Sequence, residues 1–349
     1  MAYHAIVIGP HEYAANEHGV HLARHTTIEQ SVTRYGEVLR ADTLWRDGGR
    51  VDVLTQDQLR SPITVMRAVQ EAADRAREGD TLLVVYVGHG GFWSDAPDGQ
   101  VHFALNSSLP DMPYTWLSSW YVYRAIRNSK ASLKVLIADC CYSNLLPNLG
   151  DAGGSMLGAL AEVYEGTCVL TALGNRDQDA NVLASAVGCP RLPTGFKNCT
   201  PFSGHLLNVL SKGTRNSSDT LTLGMIRDAV QDDMSNCGNK THDQPRMVLN
   251  DTRESTPLFG NNMDSSERSM DQPTSAERWA EAILGQHDYE ELLNNPRMAG
   301  QVVTLLSKKS DIKGRQAALE VSHRAEESFF ADQRKFTTYW DEASRAQLV

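Results

Sequence analysis

The chain has 349 residues, of which 41% are hydrophobic and 22% charged. That composition supports a large folded core and excludes a wholly disordered protein. The formal net charge of -10 disfavours a phosphate-tracking surface, so no nucleic-acid partner is expected.

The opening MAYHAIVIG lacks a basic leader segment and runs straight into an apolar stretch. No apolar run is long enough to span a bilayer, so no membrane partner is expected. The cysteines Cys140, Cys141, Cys168, Cys189, Cys199 and Cys237 make no small disulfide scaffold. A reducing, cytoplasmic setting with free thiols is the expectation.

In chain order, 3–9 (YHAIVIG) reads as a buried parallel strand. Residues 27–40 place Ile28, Val32, Tyr35 and Val38/Leu39 at helical spacing. Residues 50–55 form a second strand. Ser61 and Pro62 then open an amphipathic helix over 61–78, as N-cap and first-turn residues. TLLVVYVGHGG (81–91) is a β-branched run stopped by Gly-His-Gly-Gly. A helix is expected over 115–130. KVLIADCC (134–141) repeats the strand-and-stop pattern, and 167–173 adds a further strand. Residues 174–201 form a long loop rich in Gly, Pro, Asn and Asp, of the kind that carries function. Helices follow over 202–212 and 222–234. The division reads as 1–260 for the main domain, 261–274 for a polar linker and 275–349 for a helical C-terminal region, most simply a solvated bundle.

Strands alternating with helices predict an α/β fold, a mainly parallel sheet with helices on both faces. Sites in such sheets form at the carboxyl ends of the strands. His89 and Cys141 both lie at such ends, 141 − 89 = 52 residues apart. A thiol is a modest nucleophile until a neighbour takes its proton, and a histidine can do so. Gly88, Gly90 and Gly91 permit close backbone approach. The amides of Gly90 and Cys141 could then serve a developing oxyanion. Strand alternation puts Asp139 and Cys141 on one face and Cys140 on the other. An acid there selects a cationic substrate group, orients the histidine, or merely caps a helix.

These elements resemble the paired His and Cys motifs of caspase-like cysteine peptidases, the metacaspases and related bacterial members of peptidase family C14. The carrying residues are GHGG at 88–91 and DCCYS at 139–143, with AIVIG near the N-terminus and PFSGHLLNVLSKG at 201–213. The resemblance covers about residues 3–260. It implies a caspase-like fold, Cys141 as nucleophile, His89 as general base, and Asp139 lining a pocket for Arg or Lys before the scissile bond. It implies a protein or peptide substrate, an activating protein or protease, no cofactor, and a setting in bacterial stress or anti-phage proteolysis. Tyr142 and Asn144 stand where the motif has His and Gly, and Ser31 where a second pocket aspartate is common. Arg176, Arg191 and Lys197 make 174–201 the candidate cleaved or gating loop.

Other readings compete. A lone buried Cys is more often packing; Cys140 and Cys168 fit that role. Cys189, Cys199 and Cys237 with His205 or His242 suggest zinc, but no C-x-x-C pair exists, so no metal site is expected. HGG also occurs in the oxyanion element of α/β-hydrolase esterases, but the nucleophile elbow they need is absent. A catalytically silent caspase-like scaffold is the non-enzymatic alternative.

Overall fold

The structure is a computed structural model. It describes residues 2–41, 43–45, 49–92, 101–110, 112–143, 146, 167–172, 188–216, 218–237, 246–249, 256–266 and 268. The chain divides into two compact units, Met1–Arg268 and Ser269–Val349. The helical reading of 275–349, the candidate cleavage point Arg176 and the motif position Asn144 lie outside the described residues.

The first unit is mixed α/β. Its strands are β1 (Tyr3–Ile8), β2 (Gly49–Val53), β3 (Thr81–Val87), β4 (Gly90–Phe92), β5 (Val101–Phe103), β6 (Leu117–Ser118), β7 (Leu133–Asp139), β8 (Thr167–Thr171), β9 (Thr220–Thr222), β10 (Arg246–Leu249) and β11 (Pro257–Gly260). Its helices are α1 (Thr26–Leu39), α2 (Pro62–Arg75), α3 (Ser119–Asn128), α4 (Pro201–Lys212) and α5 (Leu223–Asn236).

The main sheet runs β2-β1-β3-β7-β8-β10. All its pairings are parallel except the edge strand β10, which runs antiparallel to β8. The continuous Leu/Val/Ile runs of β3 and β7 suit this position, because a strand covered on both faces gains from apolar side chains at every residue. Every residue of β3 is buried.

The two-residue alternation of the strands divides the core. Val7, Val85, Val87, Val135 and Ile137 pack with α1, α4 and α5 on one face. Ile6, Val84, Tyr86, Leu136, Ala138 and Cys140 pack with α2 and α3 on the other. Helices therefore cover both faces. The expected cap of α2 is present: Ser61 Oγ accepts from the Thr64 amide at 3.4 Å, and Pro62 opens the first turn.

The run 81–91 is not one strand. The main-sheet strand stops at Val87, and Gly90–Phe92 turns into a separate antiparallel sheet, β4-β5-β6. Gly88 donates its amide to the Asp139 carbonyl at 3.1 Å, which closes the β3–β7 ladder before the chain departs. A second small pair joins β9 to β11. No helix among the described residues is long and apolar enough to cross a membrane.

Candidate active site

Strand register builds the site. β3 and β7 pair from Thr81 with Leu133 to Val87 with Asp139, an offset of 139 − 87 = 52 residues. That offset equals the separation of His89 and Cys141. Each residue therefore sits two positions beyond the last ladder partners, at the same rim of the sheet.

Gly90 fixes how close the two segments come. A Cβ built on Gly90 would stand 2.0 Å from the Cys141 carbonyl oxygen and 3.2 Å from Cys140 Sγ. Only glycine fits there. The Gly90 amide hydrogen-bonds the Cys141 sulfur, as does the Cys141 amide itself. Two donors thus converge on the sulfur, where they can stabilise negative charge. The turn is tight enough that Tyr142 takes the left-handed region, with φ of 60°. Such a conformation costs a bulky residue energy and is held by its surroundings; the Tyr142 ring lies 6.1 Å from that of Phe92.

His89 is held from several sides. Its carbonyl accepts the Ala104 amide at 3.0 Å and shares the Tyr86 hydroxyl with the Ala104 carbonyl. Its ring lies 5.2 Å from both Tyr13 and His25. Nε2 is 2.7 Å from the Ala23 carbonyl oxygen. A carbonyl only accepts, so Nε2 carries the proton and Nδ1 is left as the basic nitrogen. Nothing in the sequence points to Ala23, because a backbone carbonyl is indifferent to residue type.

Burial pushes the His89 pKa below its ordinary value and neighbouring His25 adds to this, while the bond to Ala23 acts the other way. Burial pushes the Cys141 thiol above its ordinary value and the Asp139 charge adds to this, while the two amides act the other way. At neutral pH Cys141 is therefore a thiol and His89 a neutral imidazole. Cys140 differs: it is buried, packs on the α2/α3 face, and burial raises its thiol well above the ordinary range.

Asp139 is buried, and three donors converge on its Oδ2. They are Thr200 Oγ1 at 2.5 Å, Ser203 Oγ at 2.5 Å and the Ser203 amide at 3.3 Å. These residues open α4, where the N-cap Thr200 makes no cap bond with its own side chain. Asp139 supplies that cap from a strand 61 residues away, at the positive end of the helix dipole. Of the roles open to it, the helix cap is the one its contacts fill. Burial holds its pKa above the ordinary carboxylate value, with the Ser203 and Thr200 hydrogen bonds opposing. Ser31 joins the network: its Oγ accepts the Thr200 amide at 2.9 Å and lies 3.1 Å from Thr200 Oγ1.

The segment 188–200 is a compact series of turns leading into α4. A Cβ on Gly188 would stand 2.0 Å from the Lys197 carbonyl oxygen. Arg191 and Lys197 are exposed on it. On the other side, Cys189, His205 and Cys237 come together, with their ligand atoms all within 4.8 Å of one another. The absence of a C-x-x-C pair argued against metal from sequence. The structure instead draws the three residues from three separate elements.

No protein-family model matches the chain, and no curated protein matches it. Among solved structures, protein GSU0716 from Geobacter sulfurreducens is similar at 16% identity and a TM-score of 0.45, over 77% of this chain and 97% of that one. That similarity is too distant to identify a fold family.

Proposed function

We propose that this protein is a cysteine endopeptidase with a caspase-like domain, in which Cys141 is the nucleophile and His89 the general base. The observation that carries the reading is the shared offset of 52 between the β3–β7 register and the His89–Cys141 pair. It sets a thiol and a histidine at neighbouring strand ends, where a thiol-imidazole pair can work.

The chemistry follows from the resting charges. Cys141 Sγ attacks the carbonyl carbon of the scissile bond while His89 Nδ1 takes the thiol proton. The carbon becomes tetrahedral and its oxygen negative, and the Gly90 and Cys141 amides stabilise that charge. His89 passes the proton to the leaving amine as the C–N bond breaks, which leaves a thioester on Cys141. Water then attacks the thioester with His89 again as base, releasing the carboxylate product and the thiol. The Ala23 carbonyl keeps the imidazole in the tautomer this cycle needs.

The acid at Asp139 supports a preference for Arg or Lys before the scissile bond, in keeping with the resemblance of DCCYS to the metacaspase motif. Because Asp139 also caps α4, substrate entry would have to share that carboxylate with Thr200 and Ser203. The test is cleavage of paired fluorogenic peptides ending in Arg, Lys or Asp, in reductant, beside a Cys141→Ala control. Cleavage that vanishes in the control supports the peptidase. Cleavage that persists in the control sinks the assignment of Cys141, and silence together with an unlabelled Cys141 favours a scaffold.

A further inference from the structure

Away from the β3–β7 rim, three potential ligands converge. Cys189 stands at the start of the 188–200 turns and is fully buried. His205 lies in the first half of α4 and is 1% exposed. Cys237 is the C-cap residue of α5 and is half-buried. Their ligand atoms all lie within 4.8 Å of one another.

In a tetrahedral zinc site, with Zn–S near 2.3 Å and Zn–N near 2.0 Å, neighbouring ligand atoms stand roughly 3.5–4 Å apart. Closing from 4.8 Å therefore needs at most about 1 Å, within reach of small rotamer changes. The imidazole is already arranged as a ligand. His205 Nδ1 lies 2.7 Å from Asp233 Oδ2, and Asn208 Nδ2 holds the same oxygen at 3.1 Å. A carboxylate on one ring nitrogen fixes the tautomer and raises the donor strength of the other. Two thiols and an imidazole suit a borderline-soft divalent ion, zinc before magnesium or calcium.

We propose that Cys189, His205 and Cys237 form a structural zinc site, with Asp233 as the carboxylate that orients His205. The fourth position falls to water. The ion would staple the 188–200 segment to α4 and α5, adding to the apolar contacts of Phe202, Leu206 and Val230 and to the bonds of His205 and Asn208 to Asp233. Binding free energy at such a site becomes folding free energy of the elements it joins. The staple also secures the entry to α4, since Thr200 follows directly on the stapled segment and holds Asp139. The proposal does not rest on the peptidase reading, because neither His89 nor Cys141 belongs to the cluster.

The test uses the full chain, purified without chelator and with any histidine tag removed. Zinc is measured by elemental analysis after reconstitution with zinc chloride and dialysis. About one zinc per chain is expected, retained by Cys141→Ala and lost by Cys189→Ser and by Cys237→Ser. Should those variants fail to fold, the wild type still decides. Substituting cobalt(II) should give thiolate charge-transfer bands and tetrahedral d–d bands, and zinc should protect two thiols from a thiol reagent. Absence of stoichiometric zinc and of the cobalt spectrum overturns the site. So does a Cys189–Cys237 disulfide in the peptide map of the protein as purified, mapped without reduction, or zinc that is lost by Cys141→Ala and kept by Cys189→Ser.

Discussion

Two regions of this molecule use the same residue types and prepare them for different chemistry. At the rim, His89 gives one ring nitrogen to the neutral carbonyl of Ala23, and its ring is only half-buried beside a half-buried Cys141. In the α4/α5 cluster, His205 gives one ring nitrogen to the Asp233 carboxylate and is enclosed with a fully buried Cys189. Burial keeps His89 a weak base that can take and return a proton, with the Ala23 bond opposing it only in part. An anionic partner makes an imidazole a firm electron-pair donor, which is what a metal asks of it.

The largest expected effect tests the first half of that contrast. Cys141→Ala and His89→Ala should each lower peptide cleavage by at least ~10³-fold, with unchanged zinc content. Rates on fluorogenic peptides and elemental analysis of the same preparations check both statements. An active His89→Ala would remove the general base from the account.

Gly90→Ala comes next. The new methyl would meet the Cys141 carbonyl oxygen and shift the donor amide, so cleavage should fall roughly 10²–10³-fold. Because the clash is with backbone, thermal stability should fall as well. A collapse of stability with normal rates in the surviving protein would make Gly90 a packing residue alone.

Asp139→Asn separates cap from charge. Asparagine can still accept at the head of α4, so a loss of about 1 kcal/mol is expected, read from chemical denaturation. Preference for Arg over uncharged residues should fall several-fold if the carboxylate also meets substrate. An unaltered preference would leave Asp139 with its structural role only.

The smallest effect concerns pH. His89 must be neutral to accept a proton, and its pKa is displaced downward by burial. The acid limb of kcat/KM should therefore lie below pH 6.5, histidine's ordinary value. Alkylation of Cys141 by iodoacetamide should be slow at neutral pH and rise on the alkaline side, because its thiol is displaced upward. Alkylation already maximal near neutrality would mean a preformed thiolate-imidazolium pair.

What could be read from sequence followed the range of each interaction. The apolar runs and the Ser61-Pro62 start made β1, β3, β7 and α2 legible, since burial and capping act on neighbouring residues. The placement of His89 and Cys141 after neighbouring strands was legible too, because it needed only one assumption, that β3 and β7 are neighbours. The stop after Val87 was legible in Gly-His-Gly-Gly, but the second sheet was hidden, because Gly90–Phe92 is short and pairs with β5 across a separate stretch of chain. The edge strand β10 and the β9–β11 pair are short and carry weak patterns. Of the roles open to Asp139 from sequence, the cap could not be singled out, because its partners Thr200 and Ser203 are distant in the chain. The Cys189, His205 and Cys237 cluster shows no compact spacing, and only the packing of the 188–200 turns, α4 and the end of α5 draws it together.

The most direct measurement is labelling of the intact protein with a peptide acyloxymethyl ketone that ends in arginine, followed by peptide mapping. The account predicts a single adduct on Cys141, lost in His89→Ala and blocked by a cleavable Arg peptide. An adduct on Cys140, Cys189 or Cys237 with Cys141 unmodified would contradict it.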